Sequence, residues 1–272
     1  MFNRLENSRI HRTVWLLEEL RVPYDAEVFR RNPSTFLAPP ELAQVHTLGK
    51  SPVVSITPPG EGAEPLMLAE SAFISSYLCD HFPEGKRLVP QKWKEGKEGQ
   101  FGGETEEWLR YEFLMHYAEG SLMPPLVMSL VFTSKSSHPA AAYQPFKVSI
   151  DSDLTTEMKA GSPFLVRPLV NMIADRVLGM FVVPTLRKHL KFLEEQLSTS
   201  SGEYLCGKTL TAADILVSYG PIKFDKMIDQ LSTWEGGSWR ETHPKTAAYV
   251  DKMKAEPGYV KASEKIKEYE GK

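Results

Sequence analysis

Three short stretches place hydroxyl, carboxylate or ammonium side chains where the backbone pattern also promises unpaired polar groups. In "LAES", residues 68–71, Ser71 precedes the apolar-periodic run "AFISSYLCDHF" and so stands where a helix begins. A helix start carries free N–H groups and the positive end of the peptide dipole, which together bind an anion such as a carboxylate. Glu70 beside it can pair with an ammonium. The plain alternative is that Ser71 N-caps a helix starting at Ala72, a contribution of about 1 kcal/mol. In "ENSR", residues 6–9, Asn7 and Ser8 stand just ahead of a second amphipathic run, and N-capping is again the plain reading. In "LGKSPVV", residues 48–54, Pro52 opens an apolar run although it fixes φ and offers no N–H to a strand ladder. An edge strand or a turn would explain it, and Lys50 taken alone is a solvated charge.

Other chemistries find little support. The two cysteines, Cys79 and Cys206, lie far apart and outside any metal-ligand spacing, so neither a disulfide framework nor a zinc site follows from them. Cys79 falls within an apolar helical pattern and reads as a small buried hydrophobe. Net charge is −3 with basic and acidic residues interspersed, whereas a nucleic-acid surface asks for clustered Lys and Arg. The opening "MFNRLENSRIHR" lacks the apolar core of a signal peptide, and no run reaches the length of a membrane span. A cytoplasmic setting is the expectation.

The elements that must hold these residues follow from periodicity. Ile10, Val14, Leu17, Leu20 and Val22 form the apolar stripe of a helix stopped by Pro23. "YDAEVFRR" alternates as a strand. "PPELAQVHTLG" has prolines at a helix start and Gly49 at its end. "PVVSI", a Pro/Gly/Glu turn and "PLML" give two strands, and "SAFISSYLCDHF" a further helix. Residues 84–100 are basic and Gly-rich and read as a solvated linker between domains. The remainder is helical in pattern, with a break expected at Pro124-Pro125 and a kink or division at Pro184. The stretch 133–163 is rich in Ser, Thr, Ala and Pro with weak periodicity, as functional loops of that length often are. In "LTAADILVS", Thr211 and Asp214 have capping-box spacing with Leu210 and Ile215 at the staple positions, a folding device without chemistry.

Five segments in order, "LENSRIHRTVWLLEEL", "LAPPELAQVHTLGKSPVV", "LAES", "HYAEGSLMPPLVM" and "GKTLTAADI", resemble the cytosolic glutathione transferases, in particular the branch shared by fungi and bacteria. The resemblance spans nearly the whole chain. It implies an α/β N-terminal thioredoxin-like domain (1–83), the linker (84–100) and an all-α C-terminal domain (101–272) with a long insertion at 133–163. It also implies that the Ser51–Pro52 bond is cis, which turns the Ser51 backbone toward the cysteinyl part of glutathione, held like an added strand. By the same resemblance Glu70 and Ser71 hold the γ-glutamyl end and Lys50 the glycyl carboxylate, with His46 also within reach of the glycyl end. Glutathione is then a co-substrate, with no separate cofactor and no metal.

The implied chemistry is activation of a thiol. A free thiol with pKa near 8.5 is only about 3% thiolate at pH 7. A drop of roughly two units asks for about 2.7 kcal/mol of preferential thiolate stabilisation. A hydroxyl hydrogen bond and a helix N-terminus supply that order. Ser8, four residues ahead of Arg12, matches the serine-type members, and Asn7 competes for the role. Neither position is Cys, which disfavours the disulfide-forming chemistry of cysteine-type members. Tyr111, Met115 and Tyr117 are candidates for the hydrophobic electrophile pocket, although aromatic stripes at helical spacing also mark core. A detoxifying glutathione transferase, with peroxidase activity toward organic hydroperoxides as a second outcome, and a homodimer are expected. A non-catalytic glutathione-transferase-like binding or regulatory module is the rival reading. A glutathione-dependent isomerase would show a Ser-Ser-Cys-type motif where this chain has "ENSR". The segment before Leu5 is short for the first strand of such a domain: either the strand is "FNRL" or the start lies upstream.

Overall fold

The computed structural model describes residues 2–5, 9–31, 38–133 and 167–270. The first third of the chain builds a four-stranded sheet in the order β2-β1-β3-β4. Strand β1 (Phe2–Leu5), the "FNRL" of the sequence reading, pairs parallel with β2 (Ala26–Phe29) and antiparallel with β3 (Val53–Ile56). β3 pairs antiparallel with β4 (Leu66–Ala69), in a register that sets Val53 opposite Ala69 and Ile56 opposite Leu66. Parallel pairing of β1 and β2 requires a crossover, which helix α1 (Ile10–Leu20) supplies. This is the thioredoxin-like arrangement of the first domain.

α1 buries Ile10, Val14, Leu16, Leu17 and Leu20, a wide apolar stripe with Arg12 unexpectedly inside it. It ends one turn before Pro23. Arg21 adopts a left-handed conformation (φ 55°), its N–H donates to the Glu18 carbonyl and that of Val22 to the Leu17 carbonyl, so the carbonyls of the last turn are satisfied. The second helix is shorter than its sequence pattern: α2 (Glu41–Val45) gives way to extended backbone at His46, and Gly49, in a turn at φ 57°, donates to the His46 carbonyl. α3 (Ser71–His81) follows β4 directly.

Residues 84–100 are less of a solvated linker than their composition suggests. A 3-10 helix, Pro83–Leu88, packs against α3 and α1, and Leu88 is fully buried. Beyond it the chain is largely exposed up to α4 (Glu106–Tyr117).

The helical part corrects one expectation about proline, the break at Pro124-Pro125, and bears out the division expected near Pro184. No break occurs at Pro124-Pro125, because α4 runs into a π-turn, Ala118–Leu122, and then into α5 (Met123–Thr133), whose first turn holds both prolines. A second π-turn, Leu178–Val182, joins α6 (Arg167–Val177) to α7 (Val183–Thr199), again one residue before a proline. Proline lacks the N–H and clashes with the carbonyl four residues back, so a wider i→i+5 turn just before it accommodates the ring without stopping the helix. α8 (Ala212–Leu231) runs through the centre of the domain with nearly every residue of its first half buried. It approaches closely at Gly220, where a Cβ would come within 2.9 Å of Leu126 Cδ1 and 3.3 Å of Leu122 Cδ2. A short α9 (Trp239–Thr242), then α10 (Pro244–Ala255) and α11 (Pro257–Glu270), complete the described chain.

The capping box is formed as read. Thr211 Oγ1 accepts from the Asp214 N–H, and Asp214 Oδ2 accepts from the Thr211 N–H at 3.0 Å. Asp214 is wholly buried and also accepts from the Leu205 N–H (2.9 Å), the Thr211 hydroxyl (2.6 Å) and the Tyr249 hydroxyl (3.0 Å). Leu210 and Ile215 are both buried in the core. One continuous core joins the two parts of the chain, with α1 lying against α3, α8 and α11.

Candidate functional site

The β3–β4 register brings the predicted glutathione residues together. Val53 and Ala69 are the last paired residues at one end of the ladder, so Pro52 and Glu70, the next residue on each strand, leave the sheet side by side. The Ser51–Pro52 bond is cis, as the resemblance implies. Pro52 is buried, Ser51 is half-buried and Lys50 is exposed. β1 runs antiparallel to β3 with Asn3 opposite Val53, so the chain leaves β1 at the same end of the sheet. Asn7 and Ser8 lie between Leu5 and Arg9, outside the described residues, as does nearly all of the 133–163 stretch.

Glu70 is exposed and has φ 71°, ψ 117°. Apart from Arg21 at the end of α1, it is the only non-glycine with positive φ among the described residues. A bulky residue held there is strained, at a cost of order 1–3 kcal/mol, and such outliers concentrate where backbone geometry serves a ligand. Glu70 also takes the N-cap position, its carbonyl accepting from the Ile74 N–H at 2.9 Å. Ser71 is therefore the first helical residue rather than the N-cap, and no side-chain cap bond is present at this helix start. Its carbonyl accepts from the Ser75 hydroxyl at 2.8 Å, and its hydroxyl lies 3.5 Å from Arg12 Nη1.

Arg12 is the functional-looking residue that the sequence reading passed over except as a spacing mark. It is 1% exposed. Nη1 donates to Glu119 Oε1 at 2.5 Å, the same oxygen that lies 3.2 Å from Arg9 Nε, and the guanidinium sits 4.5 Å from the centre of the Tyr219 ring. Burial lowers the Arg12 pKa from its ordinary value while the Glu119 carboxylate opposes that shift. Glu119 belongs to the π-turn after α4, so the pair ties the two parts of the chain together beside the start of α3. π-turns occur frequently at functional sites. "HYAEGSL" carries the glutamate, but its partner lies 107 residues away and no local spacing announces it.

The other candidates are buried or bonded locally. Tyr111, Met115 and Tyr117 are all buried in the core (2%, 3% and 7% exposed). The Tyr117 hydroxyl is 2.8 Å from His189 Nδ1, and its ring packs against Phe113 and Phe192. Their burial places these three in the packing between helices, which their helical spacing equally allowed. His46 Nδ1 accepts from the Leu48 N–H at 3.3 Å, a local turn contact. Cys79 and Cys206 are free and buried, and burial pushes both thiols up, Cys79 to about 12, so neither supplies a thiolate. Among the described residues no group of His, Cys, Asp and Glu could hold a metal ion, and no helix is long and apolar enough to cross a membrane.

The chain and its fold match one family. The glutathione S-transferase N-terminal domain matches residues 9–81 and the glutathione S-transferase C-terminal domain residues 174–272, together well over half of the chain. The chain belongs to the glutathione S-transferases. It is 26% identical over 263 residues to glutathione S-transferase 1 of Saccharomyces cerevisiae, covering 97% of this chain and 93% of that protein. It is 28% identical over 214 residues to glutathione S-transferase 3 of Schizosaccharomyces pombe, covering 79% and 69%. Among solved structures, the fold is shared with a glutathione S-transferase from Actinobacillus pleuropneumoniae (TM-score 0.62, 20% identity, 98% of this chain and 92% of that one). It is shared as well with the glutathione transferase URE2P8 of Phanerochaete chrysosporium, solved with oxidized glutathione (TM-score 0.61, 17% identity, 100% and 97%).

Proposed function

We propose that the chain binds glutathione across the end of the β3–β4 ladder and activates its thiol. In this reading the cysteinyl part lies along the Ser51–Pro52 backbone. The γ-glutamyl carboxylate meets the N–H groups at the start of α3, its ammonium meets Glu70, and Lys50 faces the glycyl carboxylate. Ser8, with Asn7 as the competing residue, donates a hydrogen bond to the sulfur. The thiolate then attacks the electrophilic carbon of a hydrophobic substrate, forming the C–S bond as the leaving group departs with its electron pair. Reduction of an organic hydroperoxide is the second outcome of the same thiolate.

The observation that carries the reading is the pairing of Val53 with Ala69, which sets a cis-proline beside a glutamate held at positive φ and directly ahead of an 11-residue helix. An anion at that helix start gains from the dipole and from unpaired N–H groups. The yeast and fungal relatives named as glutathione transferases support the same chemistry.

A homodimer belongs to the same proposal. β4 is the edge of the sheet and exposes Leu66 and Met67, with Phe73 of α3 more than half exposed beside it. An open apolar edge is what a second copy would cover. A cytoplasmic setting accords with two free, buried cysteines, and a detoxifying role belongs to the transferase reading itself.

Steady-state kinetics test the catalytic part. Ser8→Ala removes the proposed hydroxyl and leaves both ends of glutathione held, so kcat for an aryl halide should fall at least about tenfold with little change in glutathione KM. If Asn7→Ala carries the larger loss, the two roles are exchanged. If neither matters, the chain is a glutathione-binding module and not a transferase.

A further inference from the structure

The two most deeply buried full charges among the described residues are treated very differently. Asp214 accepts four hydrogen bonds. Arg12 has five N–H donors, yet its Nε and Nη2 atoms have no hydrogen-bond partner among the described residues. Its one close partner, Glu119 Oε1, is shared with Arg9. Two guanidinium groups on one carboxylate leave a net charge of about +1; Arg9 and Glu119 reach solvent (37% and 28% exposed), whereas Arg12 is 1% exposed and has donors to spare. Unmade donors on a buried charge are costly, so an arrangement that keeps them calls for an anion. The guanidinium cannot turn away to find water, because Glu119 on the π-turn and the Tyr219 ring hold it from two sides. Toward the α3 helix start its nearest neighbour is the Ser71 hydroxyl, at 3.5 Å.

We propose that Arg12 is a positioning residue for glutathione: clamped by Glu119, it holds Ser71 and supplies the buried positive charge against which the γ-glutamyl α-carboxylate binds. The inference rests on the placement of glutathione given above and adds to it a charge from α1, set by a residue of the helical domain. It makes the helical domain a determinant of affinity for the thiol substrate. Domain packing at the π-turn and glutathione affinity are then coupled through one ion pair.

The test compares two ligands by calorimetry: glutathione, and 4-aminobutanoyl-cysteinyl-glycine, the same tripeptide without the α-carboxylate. Wild type should prefer glutathione. In Arg12→Gln that preference should shrink at least about tenfold, a change of ~1.4 kcal/mol, with the affinity for the carboxylate-free analogue held within about twofold. Arg12→Lys, which keeps the charge, should restore most of the preference. Glu119→Gln is close to isosteric and removes only the counter-charge, so it should widen the preference, and it decides the matter if Arg12→Gln does not fold. Equal weakening of both ligands in the Arg12 variants, or an unchanged ratio in all three, means that Arg12 is packing alone and overturns the proposal. If wild type binds neither ligand, the glutathione reading itself fails, and this inference goes with it.

Discussion

His11 makes the stability of the protein depend on acid in a way that can be calculated. Its ring lies on α1 against the C-terminal helix α11, with Nε2 3.0 Å from the Ser263 hydroxyl and ring centres 4.5 Å from Tyr259 and 6.4 Å from Trp15. Burial first, and then the positive charges of Lys223 and Arg12, lower its pKa from the ordinary 6.5 to about 4. The unfolded chain takes up a proton as pH falls through about 6.5, while the folded chain does not until about 4. Stability is therefore full above 6.5, declines as pH falls between these values, and has lost about 3 kcal/mol at the lower one, at ~1.36 kcal/mol per pKa unit. His11→Phe keeps a ring of similar size and removes the titration, and the Ser263 hydroxyl keeps its bond to the Tyr259 carbonyl. Urea unfolding of both proteins from pH 7.5 to 4.5 would show the variant gaining on wild type by about 2–3 kcal/mol as pH falls. Parallel stability curves would refute the argument.

Two further outcomes follow from the packing. Asp214→Ala strands the Leu205 and Thr211 N–H groups and the Thr211 hydroxyl in the core, while the Tyr249 hydroxyl keeps the backbone carbonyl of residue 214 within reach. At about 1–3 kcal/mol for each orphaned group, chemical denaturation should register a loss of at least about 3 kcal/mol; a loss under about 1 kcal/mol would mean that the site relaxes or admits water. Met67→Lys places a charge on the exposed edge of the sheet and should shift sedimentation toward the monomer, whereas an unchanged species would remove β4 from the dimer contact.

What the sequence disclosed divides by range. The capping box was legible because Thr211 and Asp214 need only each other, three residues apart, and the helix start they define. The first domain was legible for a related reason: each strand and helix carries its own period, and the cis-proline and the glutamate before α3 belong to recognisable segments. Helix ends were less so. α1 stops at a left-handed Arg21 rather than at Pro23, and α2 yields at His46, because carbonyl satisfaction in the last turn leaves little trace in residue type. Prolines 124 and 125 stand in the first turn of a helix they seemed bound to break, since the relief lies in the π-turn before them. Periodicity set Tyr111 and Met115 one turn apart on one face, with Tyr117 off it, but could not show what packs on them, and all three are buried. Arg12 was least legible of all: a cation inside an apolar stripe is explained only by Glu119 and Tyr219, which the fold brings from far along the chain.

The central claim is that this chain lowers the pKa of a bound thiol, and the ultraviolet thiolate band of glutathione titrated on the wild-type protein tests it most directly. The account predicts a bound thiol that ionises near pH 6.5, roughly two units below the ~8.5 of a free thiol, and that moves back up by a unit or more in Ser8→Ala. A bound thiol that titrates together with free glutathione would contradict it.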